Sequence, residues 1–155
     1  MEKTTLNTIA SFQVDHDKLE RGMYISRIDG DVFTYDLRFV KPNTPPYMDI
    51  SAMHTLEHLY ATLLRNSEVA DNIIYFGPMG CRTGFYLLTR GLGNSRVIEA
   101  VADATAKIAE WSGEIPGATR KECGNYLDHD LDGAKALAAG YLEVISHWTQ
   151  DMLSY

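Results

Sequence analysis

The stretch from Gly22 to Val40, GMYISRIDGDVFTYDLRFV, alternates apolar and polar residues on either side of Asp29-Gly30. Two alternating runs split by an Asp-Gly pair predict a β-hairpin, because that pair tolerates the positive φ values of a tight reversal. The chain is thereby committed to an antiparallel sheet with one face to bury. Phe33, Tyr35, Leu37 and Phe39 share that face, and Asp36 and Arg38 share the other, where single polar residues are expected at the surface. After a Pro-rich loop over Lys41 to Tyr47, Asp49 or Ser51 is placed to cap a helix whose apolar positions Met53, Leu56, Leu59, Tyr60, Leu63 and Leu64 recur at helical spacing to about Asn66. Ile73 to Phe76 and Phe85 to Thr89 read as further strands, Asn94-Ser95 opens a second helix ending near Trp111, and a third helix is predicted from about Asp132 to Met152. Strands and helices do not alternate regularly, which predicts an α+β fold: a mostly antiparallel sheet with helices packed on one face. No linker, repeat or low-complexity stretch divides residues 1–155, so a single domain is expected.

A chain of 155 residues buries roughly 68–70% of its unfolded surface without needing disulfides. Hydrophobic residues make up 45% and charged residues 23%, which excludes a disordered chain, and no apolar run approaches a membrane span. The net charge of −7 disfavours nucleic acid and anionic membrane surfaces as partners. The opening MEKTTLNTIASF lacks the continuous apolar segment of a secretory signal, so a cytoplasmic location is expected. In a reducing compartment the two cysteines, Cys81 and Cys123, are better suited to ligation or catalysis than to bridging.

The most specific motif is His54-Thr55-Leu56-Glu57-His58. Positions i, i+3 and i+4 project from one helix face, so both imidazoles can meet one ion with Glu57 beside them. Such a centre needs a third protein ligand, and a thiolate suits Fe(II), Co(II) or Zn(II). Cys123 lies in a polar stretch, GATRKECGNYLDHD, without apolar periodicity, and His129 in the same stretch is the rival ligand or a hydrogen-bonding partner of one. Cys81 sits among Gly77, Gly80 and Gly84, where free backbone N–H groups and Arg82 would favour a thiolate acting as nucleophile or base. Arg65, seven residues beyond His58 on the same helix, could receive a substrate carboxylate. Periodicity alone gives Ser11, His16, Asp36 and Arg38 no role.

Five blocks in order, SFQVDH at 11–16, DLRFVKPN at 36–43, HTLEHL at 54–59, GPMGCRTGFYL at 77–87 and ECGNYLDHDL at 122–131, resemble the motifs of the S-ribosylhomocysteine lyase (LuxS) family. The resemblance implies a cytosolic homodimer with shared active sites. It also implies one divalent ion per subunit, Fe(II) with Zn(II) or Co(II) able to substitute, held by His54, His58 and Cys123. The implied reaction cleaves S-ribosylhomocysteine to homocysteine and 4,5-dihydroxy-2,3-pentanedione, the autoinducer-2 precursor. It assigns Cys81 and Glu57 to proton transfer, and Ser11, His16 and Arg38 to the ribosyl group across the dimer interface. Tyr75-Phe76-Gly77 stands where family members often carry an acidic residue, which gives Arg65 or backbone groups more of the work of holding the amino-acid end.

Two other functions fit parts of this pattern. An inverted-zincin metallopeptidase would use Glu57 to activate water, but has no need of a second thiol. A metal-sensing or storage module would close the fourth coordination position with another side chain, His129.

Overall fold

The computed structural model describes residues 5–155; the first four residues of the opening segment lie outside it. The predicted hairpin forms as β1 (Gly22–Asp29) and β2 (Val32–Arg38), with Gly30 in the turn at φ +62°. β3 (Ile73–Pro78) and β4 (Gly84–Arg90) complete a four-stranded antiparallel sheet of order β1-β2-β4-β3. Tyr35, Leu37, Phe85 and Leu87 are buried on the face that meets the helices, and aromatic rings lock the seam, Phe39 stacking on Tyr141 at 4.0 Å and 13°. Each such side chain contributes ~1.5–3 kcal/mol by leaving water.

A four-residue turn of helix, α1 (Ala10–Gln13), precedes the sheet, and α2 (Ile50–Arg65), α3 (Asn94–Ala109) and α4 (Leu131–Ile145) cover it. α2 lies against β3 with α3 and α4 packed on it. It starts where capping chemistry predicts, with Asp49 at the N-cap position, although the Asp49 side chain makes no cap bond and the Ser51 hydroxyl is drawn to Asp128 instead. Buried polar contacts fix the layers: the Tyr35 phenol donates to Asn94 Oδ1 at 2.6 Å, and the Tyr141 phenol to the Gly22 carbonyl at 2.9 Å.

Two expectations need correction. The last helix ends at Ile145, not Met152, and only Gln150–Met152 forms a further 3₁₀ turn. The break frees Trp148 to donate from Nε1 to the Met23 carbonyl at 2.7 Å, with its ring filling the space beside Gly22. Asp36 and Arg38 do occupy the other sheet face, but they are 0% and 3% exposed and form an ion pair at 2.6 Å. That face is closed by the chain end: Leu153 is buried, its carbonyl accepts from Ile25 N, and the Tyr155 phenol donates to Asp36 Oδ2 at 2.8 Å.

Candidate metal centre and the second thiol

His54 and His58 emerge one turn apart from the half-buried face of α2, and the loop that follows α3 brings Pro116, Cys123, Asp128 and His129 over them. His54 Nδ1 lies 2.7 Å from the Asp128 carbonyl, and His58 Nδ1 lies 2.8 Å from that of Pro116. A carbonyl can only accept, so each Nδ1 carries the proton and each Nε2 presents a bare lone pair. Gly117, at φ +69°, permits the second of these contacts; a Cβ there would stand 3.2 Å from His58 Nδ1. Cys123 Sγ is 3.4 Å from His54 Nε2 and 3.8 Å from His58 Nε2. Those separations match the edges of a tetrahedron with metal bonds of about 2.0–2.3 Å.

His129 completes a group of four donors whose ligand atoms all lie within 4.8 Å of one another. Thr55 sets its tautomer. The Thr55 hydroxyl spends its one proton on the Ser51 carbonyl and accepts from Asp130 N, so its 2.9 Å contact with His129 Nδ1 requires that nitrogen to be the donor. His129 Nε2 is therefore also a lone pair, buried and without a hydrogen-bond partner. Burial first, and then the neighbouring imidazoles of His54 and His58, push the His129 pKa below the usual value for histidine and keep the ring neutral. The Cys123 sulfur and the imidazoles gathered around it offer the donor chemistry of a divalent transition-metal ion such as Fe(II), Co(II) or Zn(II).

Glu57 stands on the wall between two open clefts of about 430 Å³ each. One is shared with His58, Arg65, Tyr75 and Gly117; the other with His54, Met79, Gly80 and Arg82. Arg65 thus does reach the neighbourhood of the metal donors. One of its Nη atoms donates to the Ile74 carbonyl at 2.7 Å.

The β3–β4 turn presents Cys81 at the surface. Arg82 N closes the turn onto the Met79 carbonyl, Arg82 takes a left-handed φ of +64°, and its carbonyl is held by Met48 N. A hydrogen-bonded relay also links Cys81 to a second cation besides the neighbouring Arg82, the buried Arg38. Arg38 Nη1 donates to Thr83 Oγ1 at 2.8 Å, and the same oxygen lies 3.1 Å from Cys81 Sγ. Because Arg38 uses an acceptor site of that hydroxyl, the Thr83 proton is free to point at the sulfur. Burial pushes the Arg38 pKa down, but the Asp36 charge and hydrogen bond outweigh it and hold the guanidinium above its ordinary value. Thr83 was invisible to motif reasoning, although its place two residues after Cys81 is the one signal that could have found it.

Ser11 sits on α1 beside the Tyr86 phenol, on the sheet face of Asp36 and Arg38. His16 makes a local contact, Nδ1 to the Val14 carbonyl at 2.8 Å. His16 does not belong to the group of metal donors.

With this geometry in view, comparison with known proteins is decisive. The model of the family described as S-ribosylhomocysteinase (LuxS) matches residues 9–152. The chain belongs to the LuxS family. The S-ribosylhomocysteine lyase of Phocaeicola vulgatus is 48% identical over 157 residues, covering 97% of this chain and 98% of that protein. The lyases of Borreliella afzelii and Clostridium acetobutylicum are 46% and 42% identical, each over 97% of this chain and 99% of theirs. LuxS membership disfavours the metallopeptidase reading of His54, Glu57 and His58. No helix among the described residues is long and apolar enough to cross a membrane.

Proposed function

We propose that the protein is a cytoplasmic, homodimeric S-ribosylhomocysteine lyase. It releases homocysteine and 4,5-dihydroxy-2,3-pentanedione, with Fe(II) as the resident ion and Zn(II) or Co(II) able to replace it. The observation that carries the reading is the convergence of His54, His58 and Cys123 beside Glu57 in a chain of this family. An ion held there would supply Lewis-acid stabilisation of negative charge developing on substrate oxygens.

The chemistry asked of the residues follows from the substrate. A thioether at the terminal sugar carbon is not a leaving group until a carbonyl stands two carbons away. The sugar carbonyl must therefore migrate twice, from C1 to C2 and from C2 to C3. Each migration removes a proton from carbon and returns it to the carbon vacated by the carbonyl. Cys81 is suited to this task, because Thr83 and Arg38 offer its sulfur a hydrogen-bond donor and a positive charge. Glu57, shared by both clefts, moves protons between substrate oxygens. In the elimination the C4 proton is removed, the C4–C5 double bond forms as the C5–S bond breaks, and the departing thiolate takes up a proton as homocysteine; the enol left behind loses its C4 hydroxyl proton and gains one on C5 to give the dione. Arg65 is suited to the homocysteine carboxylate, and Ser11, His16 and Arg38 to the ribosyl hydroxyls.

Assembly as a dimer is supported by what the single chain leaves unfinished. His16 is not among the group of metal donors, and the segment that carries Ser11 and His16 exposes Leu6, Ile9 and Phe12 at 81%, 55% and 72%. A second copy would cover those residues and bring the ribosyl contacts across the interface. The test is release of thiol from S-ribosylhomocysteine by the Fe(II)-loaded protein, followed with a chromogenic thiol reagent; absence of release would overturn the assignment. Sedimentation at micromolar concentration tests the dimer separately.

A further inference from the structure

Among the described residues, His129 Nε2 is the one unpartnered buried atom that belongs to the group of metal donors. An imidazole binds an ion along its ring plane, so two imidazoles sharing an ion must both have planes passing through it. The His129 and His54 rings instead lie face to face, with centroids 3.9 Å apart and planes 21° apart. The stack displaces the His129 plane from the point that His54 Nε2 addresses. His54 and His58, at 85° to one another, carry no such conflict.

His129 therefore has a fixed tautomer, a buried Nε2 lone pair closed to bulk solvent beside the metal donors, and a ring plane displaced from the point that His54 Nε2 addresses. We propose that His129 is a positioning residue: its Nε2 accepts a hydrogen bond from the hydroxyl group, water's or the sugar's, that fills the coordination position left open by His54, His58 and Cys123. The Thr55 hydroxyl is part of the device, because it holds the Nδ1 proton and so keeps Nε2 an acceptor. The inference rests on the metal centre proposed above and not on the identity of the substrate. It also gives His129 a role other than the third ligand or the closing fourth ligand of a sensor.

The test uses Co(II)-loaded full-length protein with azide as the probe, read from the cobalt visible bands. Azide has no proton to give His129, so in the wild type it must displace a hydrogen-bonded water and leave Nε2 unsatisfied. In His129→Leu that penalty is gone, and azide affinity is expected to rise about 2- to 10-fold, the worth of one hydrogen bond. His129→Gln returns an acceptor near the Nε2 position and is expected to restore weak azide binding, which a packing role alone would not do. Both variants should keep one cobalt per chain. With the ribosyl substrate, kcat/KM should fall in His129→Leu and recover in His129→Gln, which extends the result from water to the sugar hydroxyl.

Loss of cobalt from His129→Leu would overturn the inference by making His129 a ligand. Equal azide affinity in all three proteins would overturn it by leaving nothing for Nε2 to hold. A wild type that takes up no cobalt would remove the centre itself. A wild type that binds cobalt but fails to cleave S-ribosylhomocysteine would sink only the lyase reading.

Discussion

Around Cys123, imidazoles from α2 and from the loop after α3 converge with bare nitrogens, and every outward-facing Nδ1 is anchored by a carbonyl or a hydroxyl. Around Cys81 the sulfur has one side-chain contact, the Thr83 hydroxyl, and behind it runs a line of polar groups, buried from Thr83 to Arg38 to Asp36 and ending at the half-exposed Tyr155. The first region is complete within one chain. The second positions a thiol at the surface and stops there. The contrast sets the two cysteines in different surroundings: the first sulfur stands among imidazole nitrogens, the second beside one hydroxyl that a buried guanidinium holds.

The sharpest way to break this comparison is to remove each sulfur in turn. Cys123→Ala is expected to lose the metal, measured by elemental analysis, and all turnover with it. Cys81→Ala is expected to keep the metal and lose about 10²- to 10⁴-fold in kcat, the span of a general acid–base contribution. If both variants keep the metal, or both lose it, the division of labour fails.

Next in size is the buried ion pair. Arg38→Met leaves Asp36 charged and unpaired at 0% exposure, and should cost about 3–5 kcal/mol in urea unfolding. Arg27→Met removes a surface pair of similar length, 2.7 Å, and should leave the unfolding midpoint unchanged. Equal effects would mean that the line behind Cys81 is not buried in solution.

How far each region could be read from the sequence follows the same division. His54, Glu57 and His58 lie on one helix, so their spacing alone declares a shared face. Cys123 has no period and was legible only through its chemistry and its family motif. The hairpin showed that Asp36 and Arg38 share a face, but not that the face is covered. The cover is Tyr155, 119 residues away from Asp36 in the chain, and no local pattern encodes so distant a contact. His129 was legible as a metal-site residue, whereas its stack on His54 depends on a threonine hydroxyl in the middle of α2, which reads in sequence as ordinary helix interior.

Smaller changes sharpen the account of the second thiol. Thr83→Val keeps the shape and removes the hydroxyl between Arg38 and Cys81, leaving a buried guanidinium donor unsatisfied. It should cost about 1–3 kcal/mol of stability and lower kcat about tenfold while the metal content stays constant. A fall in stability without a fall in kcat would make Thr83 purely structural. Tyr155→Phe should cost about 1 kcal/mol. Burial and the Asp36 charge raise the Tyr155 pKa above the ordinary 10.0. Its contribution is therefore fully present below about pH 10 and is lost as pH rises through the folded-state value. Unfolding curves of wild type and Tyr155→Phe should differ at pH 8 and converge under strong alkali; a constant gap would contradict the assignment of that hydrogen bond.

The central claim is that Cys123 serves the metal and Cys81 serves the substrate carbon. It is tested most directly by supplying S-ribosylhomocysteine in deuterated water to Fe(II)-loaded Cys81→Ala beside wild type, and following both thiol release and deuterium entering the sugar carbons by mass spectrometry. The account predicts that wild type does both and that the metal-bearing variant does neither. Deuterium exchange or thiol release at the wild-type rate in Cys81→Ala would contradict it.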